Sequence, residues 1–141
     1  MFITILGTLT PTYNELLCYE ALVPAGFPSP ALDHQEQKIS LDALLDIRAP
    51  HTYLVRVSGD SMQGAGIFDG DLLIVSRALE AKSGQIVVAC LNGEIFVKRL
   101  CKEQGQILLR AENPDYAPRY VLEGEDLHMW GVVTHSIRQH L

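Results

Sequence analysis

Positive charge is sparse in this 141-residue sequence. Its 17 aspartates and glutamates outnumber its 11 lysines and arginines, so the formal net charge is −6. The basic residues form no run, no arginine-rich helix and no zinc-finger spacing. Proteins that bind nucleic acid neutralise its phosphates with clustered lysine and arginine. The composition therefore argues against direct nucleic-acid binding by this chain.

Cysteine and metal-ligand patterns are scarce as well. The three cysteines, Cys18, Cys90 and Cys101, are odd in number and show no CxxC spacing, which argues against a disulfide framework. We expect three unpaired thiols in a reducing cytoplasm. The five histidines are scattered without the spacing of metal ligands, so we expect no metal site and no cofactor.

Long apolar runs are missing too, and none approaches the length of a membrane span. The tripeptide Val23-Pro24-Ala25 has the small-residue pattern that signal peptidase cuts after. However, residues 1–25 carry Glu15 and Glu20, no lysine or arginine, and no continuous apolar core, so they do not resemble a signal peptide. We therefore expect a cytoplasmic protein with no membrane contact.

The chain does contain a series of short apolar runs separated by turn residues. Asn92-Gly93 between two such runs is a strong hairpin signal, because both residues tolerate positive φ. Ser40 is a suitable N-cap for a short helix over residues 40–46. Repeated short strands predict a mainly β fold, an antiparallel barrel-like or sandwich domain. The predicted strands cover residues 52–58, 72–76, 85–91, 94–100, 106–111, 119–122 and 130–137.

Residues 1–25 differ from the rest and predict an N-terminal tail. The tail begins with a β-prone run, Phe2 to Leu6, which is too short to form its own core and should dock on the body or on a second subunit. Its end overlaps the run of residues 24–30, which holds three prolines and a glycine. Proline favours an extended, exposed chain, which is the shape that most proteases bind. A plain linker is the alternative reading.

Lys98 is a candidate general base. In a strand, Phe96, Lys98 and Leu100 point to one face, so the lysine stands between two apolar neighbours. Burial disfavours the ammonium form and lowers the pKa of a lysine. A neutral lysine can accept a proton near physiological pH. The alternative is a strand lysine whose amine reaches water.

Ser61 is a candidate nucleophile. Gly59 permits an abrupt turn after the strand 52–58, so Ser61 could project at the strand end with backbone N–H groups facing an oxyanion. A serine hydroxyl reacts only when a base takes its proton. No histidine lies in a matching context and GxSxG is absent, so no serine–histidine–aspartate triad is predicted. An ordinary turn serine is the alternative.

Several motifs occur together in a recognisable order. They are Ser58-Gly59-Asp60-Ser61-Met62, Gly66-Ile67, the run from Asp69 to Val75, and the run from Gly93 to Leu100. This pattern resembles the LexA/UmuD family of self-cleaving serine peptidases, peptidase family S24. The run 26–31 and Trp130-Gly131-Val132-Val133 are similar to the UmuD branch in particular.

The resemblance implies a function. Ser61 would be the nucleophile, Lys98 the general base, and Ala25–Gly26 the cleaved bond. Residues 1–25 would be a removable tail, and residues 26–141 a β-clip peptidase and dimerisation domain. A RecA filament on single-stranded DNA would stimulate cleavage in the SOS response. The shortened homodimer would be the accessory subunit of a UmuC-like Y-family polymerase in translesion synthesis.

Alternatives from other classes stay open. One is a non-catalytic β module that binds a polymerase, in which Ser61 and Lys98 are incidental. A second is a fragment of a LexA-type repressor, although residues 1–25 lack the basic residues of a DNA-binding domain. A third is a signal-peptidase relative, which shares the serine–lysine chemistry but needs a membrane anchor. A plasmid- or phage-borne version with another polymerase partner is close to the first choice.

Overall fold

The computed structural model describes residues 1–9, 15–19, 36–47 and 50–141. The chain divides into two compact units, one of Met1–Thr10 with Arg48–Leu141 and one of Pro11–Ile47. The predicted linker 24–30, with Ala25 and Gly26, lies outside the described residues.

Strands dominate both units. In chain order they are β1 (Phe2–Thr8), β2 (Glu15–Tyr19), β3 (Glu36–Ser40), β4 (Thr52–Ser58), β5 (Leu72–Ser76), β6 (Ile86–Leu91), β7 (Glu94–Glu103), β8 (Gln106–Arg110), β9 (Arg119–Val121) and β10 (Leu127–Ile137). A short α-helix, α1, covers Leu41–Leu44, and a 3₁₀ turn covers Gln63–Ala65.

The larger unit is a single antiparallel sheet in the order β1-β4-β5-β10-β6-β7-β8-β9. It curls into a half-barrel, so the predicted mainly β, barrel-like antiparallel fold is confirmed. Asn92 and Gly93 have φ of 52° and 82°, as the hairpin prediction requires. Cys90 and Cys101 are unpaired thiols.

The smaller unit pairs β2 with β3, from Glu15 opposite Ser40 to Tyr19 opposite Glu36. The predicted cap is confirmed, because the Ser40 side chain accepts a hydrogen bond of 3.5 Å from the Ala43 amide at the start of α1. β3 was not predicted, since its polar sequence Glu36-Gln37-Lys38 carries no apolar alternation.

The two faces of β7 belong to two core clusters. Val97 packs with Val57 and Met62 in the first cluster, and Leu100 packs with Val87 and Leu109 in the second. Lys98 stands opposite Val87 across the β6–β7 pair, on the same side as Leu100. The alternation predicted for this strand is therefore present.

The β-prone start of the chain docks on the body, as predicted for residues 2–6. β1 pairs with β4, with Phe2 opposite Ser58 and Ile3 opposite Val57, and Ile3 packs against the first core cluster. β1 thereby becomes one edge of the sheet, beside the strand that leads to Ser61.

Candidate active site

The turn that carries Ser61 begins where β4 ends. Gly59 has φ of 98°, a left-handed value that a side chain would strain. Its amide donates a 2.8 Å hydrogen bond to Asp69 Oδ1 on the neighbouring turn. Ser61 follows directly and precedes the 3₁₀ turn. The abrupt change of direction predicted at Gly59 is thus confirmed.

Ser61 is a buried polar residue whose hydroxyl lacks a hydrogen-bond partner among the described residues. Its side chain is completely buried, and Oγ has no hydrogen-bond partner within the described part of the chain. Met62, the next residue, is anchored in the first core cluster. An unpaired buried hydroxyl costs free energy, and such groups are uncommon in folded proteins.

Lys98 is buried as well, with 9% of its surface exposed. Burial lowers the pKa of its amine below the ordinary lysine value, in the direction that the strand pattern predicts. No carboxylate of the described residues forms an ion pair with it. An amine in such a place is easier to deprotonate than an exposed one.

Tyr116, in the loop between β8 and β9, links the serine turn to the lysine. Lys98 Nζ lies 5.5 Å from the centre of the Tyr116 ring. The Tyr116 hydroxyl donates a 2.5 Å hydrogen bond to Oδ1 of Asp60, the residue before Ser61, and this bond raises the pKa of Tyr116. Asn113 Nδ2 donates to the Asp60 carbonyl at 2.9 Å. One loop therefore contacts both halves of the candidate pair.

A second link runs through Glu112. The Gly64 amide, in the 3₁₀ turn after Ser61, donates a 2.7 Å hydrogen bond to the Glu112 carbonyl. The Glu112 carboxylate forms an ion pair with Arg99, the residue after Lys98, and the Arg99 side chain lowers the pKa of Glu112. The approach is close, because a β-carbon on Gly64 would lie 2.6 Å from the Glu112 oxygen. The serine turn is thus held at a fixed place relative to β7.

Sequence reasoning missed the residues of both links. Tyr116, Asn113 and Glu112 lie in a turn-rich stretch, and only the fold brings them to residues 60–64 and to β7. Their one local signal is Asn113 directly before Pro114 and Tyr116 between Pro114 and Pro118, a pattern that is also typical of ordinary turns.

An open groove of about 650 Å³ adjoins Lys98. Its walls include the apolar residues Phe96 and Leu109 and the ring of Tyr116, and its near side is formed by residues 1–3. Glu94 and Arg119 also line it, so the groove combines apolar walls with charged side chains around the Lys98 amine.

The acidic turn residues that could suggest a cation site have other partners. Asp69 accepts the bond from Gly59, and Asp71 is buried and accepts two hydrogen bonds from Arg138, of 2.9 and 2.8 Å. Arg138 holds the pKa of Asp71 below its usual range. No group of three or more metal-ligand side chains that could hold an ion is found in the described ranges. Among those same residues, no helix is long and apolar enough to cross a membrane.

The chain is similar to known proteins over most of its length. The profile of the family described as Peptidase S24-like matches residues 17–134. The LexA repressor of Bordetella parapertussis is 46% identical over 116 residues, which are 82% of this chain and 53% of the relative. The LexA repressor of Cupriavidus taiwanensis has the same identity and coverage.

A relative of more similar length is Protein MucA of Salmonella typhimurium. It is 42% identical over 123 residues, which are 86% of this chain and 84% of the relative. The chain thus spans about half the length of the LexA relatives and most of the length of MucA.

Proposed function

Since the chain belongs to the Peptidase S24-like family, whose members are serine peptidases that cut their own chains, we propose that Ser61 is its nucleophile and Lys98 its general base. The observation that carries this assignment is the burial of both residues on two elements that the same loop contacts. Ser61 Oγ has no hydrogen-bond partner within the described residues, and Lys98 is buried with a lowered pKa. Tyr116 connects the two elements on which they stand.

The chemistry assigns one role to each group. Neutral Lys98 takes the proton of Ser61 Oγ, and Oγ attacks the carbonyl carbon of the scissile bond. The N–H groups of Ser61 and a neighbouring residue stabilise the oxyanion. The Lys98 ammonium then gives its proton to the leaving amine, and water hydrolyses the acyl-enzyme. The Ser61–Lys98 hydrogen bond forms when the substrate strand docks, since catalytic bonds often tighten only in the complex.

The scissile bond that we propose is Ala25–Gly26. Both residues are small, and the prolines around them favour an extended chain that suits the groove beside Lys98. Because enzyme and substrate are one chain, docking within a subunit proceeds at a high effective concentration, and a homodimer would also allow cutting in trans. Cleavage would remove residues 1–25 and leave residues 26–141 as the mature domain.

For the cellular role, the resemblance to LexA- and UmuD-type proteins supports a cytoplasmic protein of the SOS response. A RecA filament on single-stranded DNA would raise the population with a docked cleavage strand and would supply no catalytic group. The cleaved homodimer would then act as accessory subunit of a UmuC-like Y-family polymerase. The similarity to MucA over most of both chains favours this role over that of a repressor fragment.

Intact-mass analysis after incubation with RecA, single-stranded DNA and a nucleotide tests the proposal. The wild type should yield a product that begins at Gly26, and Ser61→Ala and Lys98→Ala should stay whole. The exposed residues Ser136 and Lys102 provide matched controls, Ser136→Ala and Lys102→Ala, which should cleave like the wild type. A cut Ser61→Ala protein would overturn the nucleophile assignment, and another new N-terminus would overturn the bond. An uncut wild type would favour the non-catalytic module.

A further inference from the structure

The strand that leads to Ser61, β4, lies between two other strands, and only the edge strand β1 could give way to a peptide. β4 pairs with β5 on one side, and β1 takes the other side. The β1 pairing extends to Phe2 opposite Ser58, three residues before the nucleophile. Ser58 Oγ adds a 3.4 Å hydrogen bond to the Phe2 carbonyl. The backbone groups at the catalytic end of β4 are therefore occupied by the chain's own first strand.

The start of the chain also fills the space beside the candidate pair. Met1 lies so close to the serine turn that its Cα is 3.3 Å from the position of a β-carbon on Gly59. Residues 1–3 form one side of the groove that holds Lys98, and Ser61 is completely buried. An extended substrate that pairs with β4 would need the same edge and the same space.

The attachment of β1 is weak for a strand of the main sheet. Its one half-buried side chain is Ile3, whereas Phe2, Ile5 and Leu6 are exposed. The register of the β1–β4 pairing shifts between Ile5 and Gly7. β4 itself buries alternate side chains from end to end. β1 thus contributes no fully buried side chain, and its removal would expose little of the core.

We propose that β1 is an internal competitor, which occupies the β4 edge where the cleavage strand docks, so that self-cleavage requires β1 to leave. This inference rests on the proposed function, because it takes Ser61 and the β4 edge as the place where the substrate strand binds. It assigns a second determinant of the cleavage rate besides the docking of residues around Ala25–Gly26, namely the stability of the β1–β4 pairing.

A substitution of Ile3 tests the release of β1. Ile3→Asp removes the side chain that anchors β1 to the first core cluster. Thr4→Asp adds the same charge at an exposed position of the same strand. Ile3→Asp should speed self-cleavage by about ten-fold, the factor that corresponds to half the transfer free energy of a buried isoleucine. Thr4→Asp should not speed self-cleavage, because its charge faces Arg56 on β4 and leaves the β1 pairing intact. Equal rates for Ile3→Asp and the wild type would overturn the inference.

A reversible lock provides the opposite test and does not depend on weakening the fold. Thr4 and Arg56 are exposed cross-strand partners, at a Cα spacing that a disulfide can bridge. The oxidised Thr4→Cys/Arg56→Cys protein should not cleave, and reductant should restore its cleavage. The single Thr4→Cys protein, treated alike, controls for the native cysteines. The proposal would be contradicted if the oxidised, locked protein cleaved as fast as the same protein after treatment with reductant.

Peptide binding separates this inference from the proposed function. A fluorescent peptide of residues 20–31 is titrated into Ser61→Ala and Ser61→Ala/Ile3→Asp, neither of which needs to cleave. The double variant should bind about ten-fold more tightly, for the same reason as above. Equal affinities of the peptide for the two variants would refute the competitor role of β1, even if the wild type cleaves itself. Tighter binding by the double variant, together with an uncut wild type, would instead support β1 as a competitor and refute the proposed peptidase function.

Discussion

Replacing Lys98 by methionine should stabilise the folded protein while it removes the activity. Lys98 stands beside Val87 and Leu100 and is 9% exposed, and its amine forms no ion pair with the described residues. Methionine fills nearly the same volume with no charge, so it leaves no large cavity. Sites built for catalysis often lower stability in this way.

The expected gain in the free energy of unfolding comes from the burial of Lys98, and its pH dependence comes from the lowered pKa of that residue. Removing the buried ammonium should raise the free energy of unfolding by about 1–2 kcal/mol at pH 7. For a domain of this size, that corresponds to roughly 4 °C in Tm per kcal/mol. The pKa of Lys98 is lowered in the folded state, so the cost is fully present below that folded value. It is relieved as the pH rises from there to the ordinary lysine pKa, so the gain should shrink in alkali.

Thermal and urea unfolding of Ser61→Ala and Ser61→Ala/Lys98→Met between pH 7 and pH 10 measure this effect without interference from self-cleavage. Lys102, exposed on the same strand, provides the control, and Lys102→Met should change the unfolding free energy by less than about 0.5 kcal/mol. The reasoning would be refuted if Lys98→Met were no more stable than its parent. It would also be refuted by a gain that Lys102→Met shares, or by one that does not change with pH.

Two further substitutions test the supports of the site. Gly64→Ala should lower stability by about 1–3 kcal/mol and slow self-cleavage, because its β-carbon would meet the Glu112 carbonyl oxygen at 2.6 Å; an unchanged urea midpoint, compared with Gln63→Ala, would contradict that contact. Asp71→Asn should cost about 2 kcal/mol at neutral pH, because it weakens the charge-assisted bonds to Arg138. Since the folded-state pKa of Asp71 is lowered, the wild type loses this advantage as the pH falls through that value, and the two unfolding curves should converge in acid.

Local sequence signals predict the elements around the site well. The strands 52–58 and 72–76 coincide with β4 and β5, because β-rich runs there end at Gly59 and begin after Asp69-Gly70-Asp71. The two-residue period of β7 correctly places Lys98 between Phe96 and Leu100. In each of these cases the information lies within a few neighbouring residues.

Contacts between distant segments could not be read in the same way. The contact of Tyr116 with Asp60 joins residues 56 positions apart, and β1 pairs with a strand about 50 residues later. The local sequence of each segment does not identify its contact partner, because a tyrosine in a turn or a short apolar run can pack against many different segments. The proposal of Ser61 and Lys98 as a catalytic pair came from the sequence only through the order of the family motifs.

The rate of self-cleavage as a function of pH, in the absence of any other protein, tests the central claim most directly. Intact mass is followed for the wild type, Ser61→Ala and Lys98→Ala from pH 7 to pH 10. Because the amine must lose its proton to act as base, the wild-type rate should rise with pH and level off above the lowered pKa of Lys98, with a product that begins at Gly26. Both variants should stay whole throughout. A wild-type rate that does not change over this range, or cleavage of either variant, would contradict the serine–lysine pair.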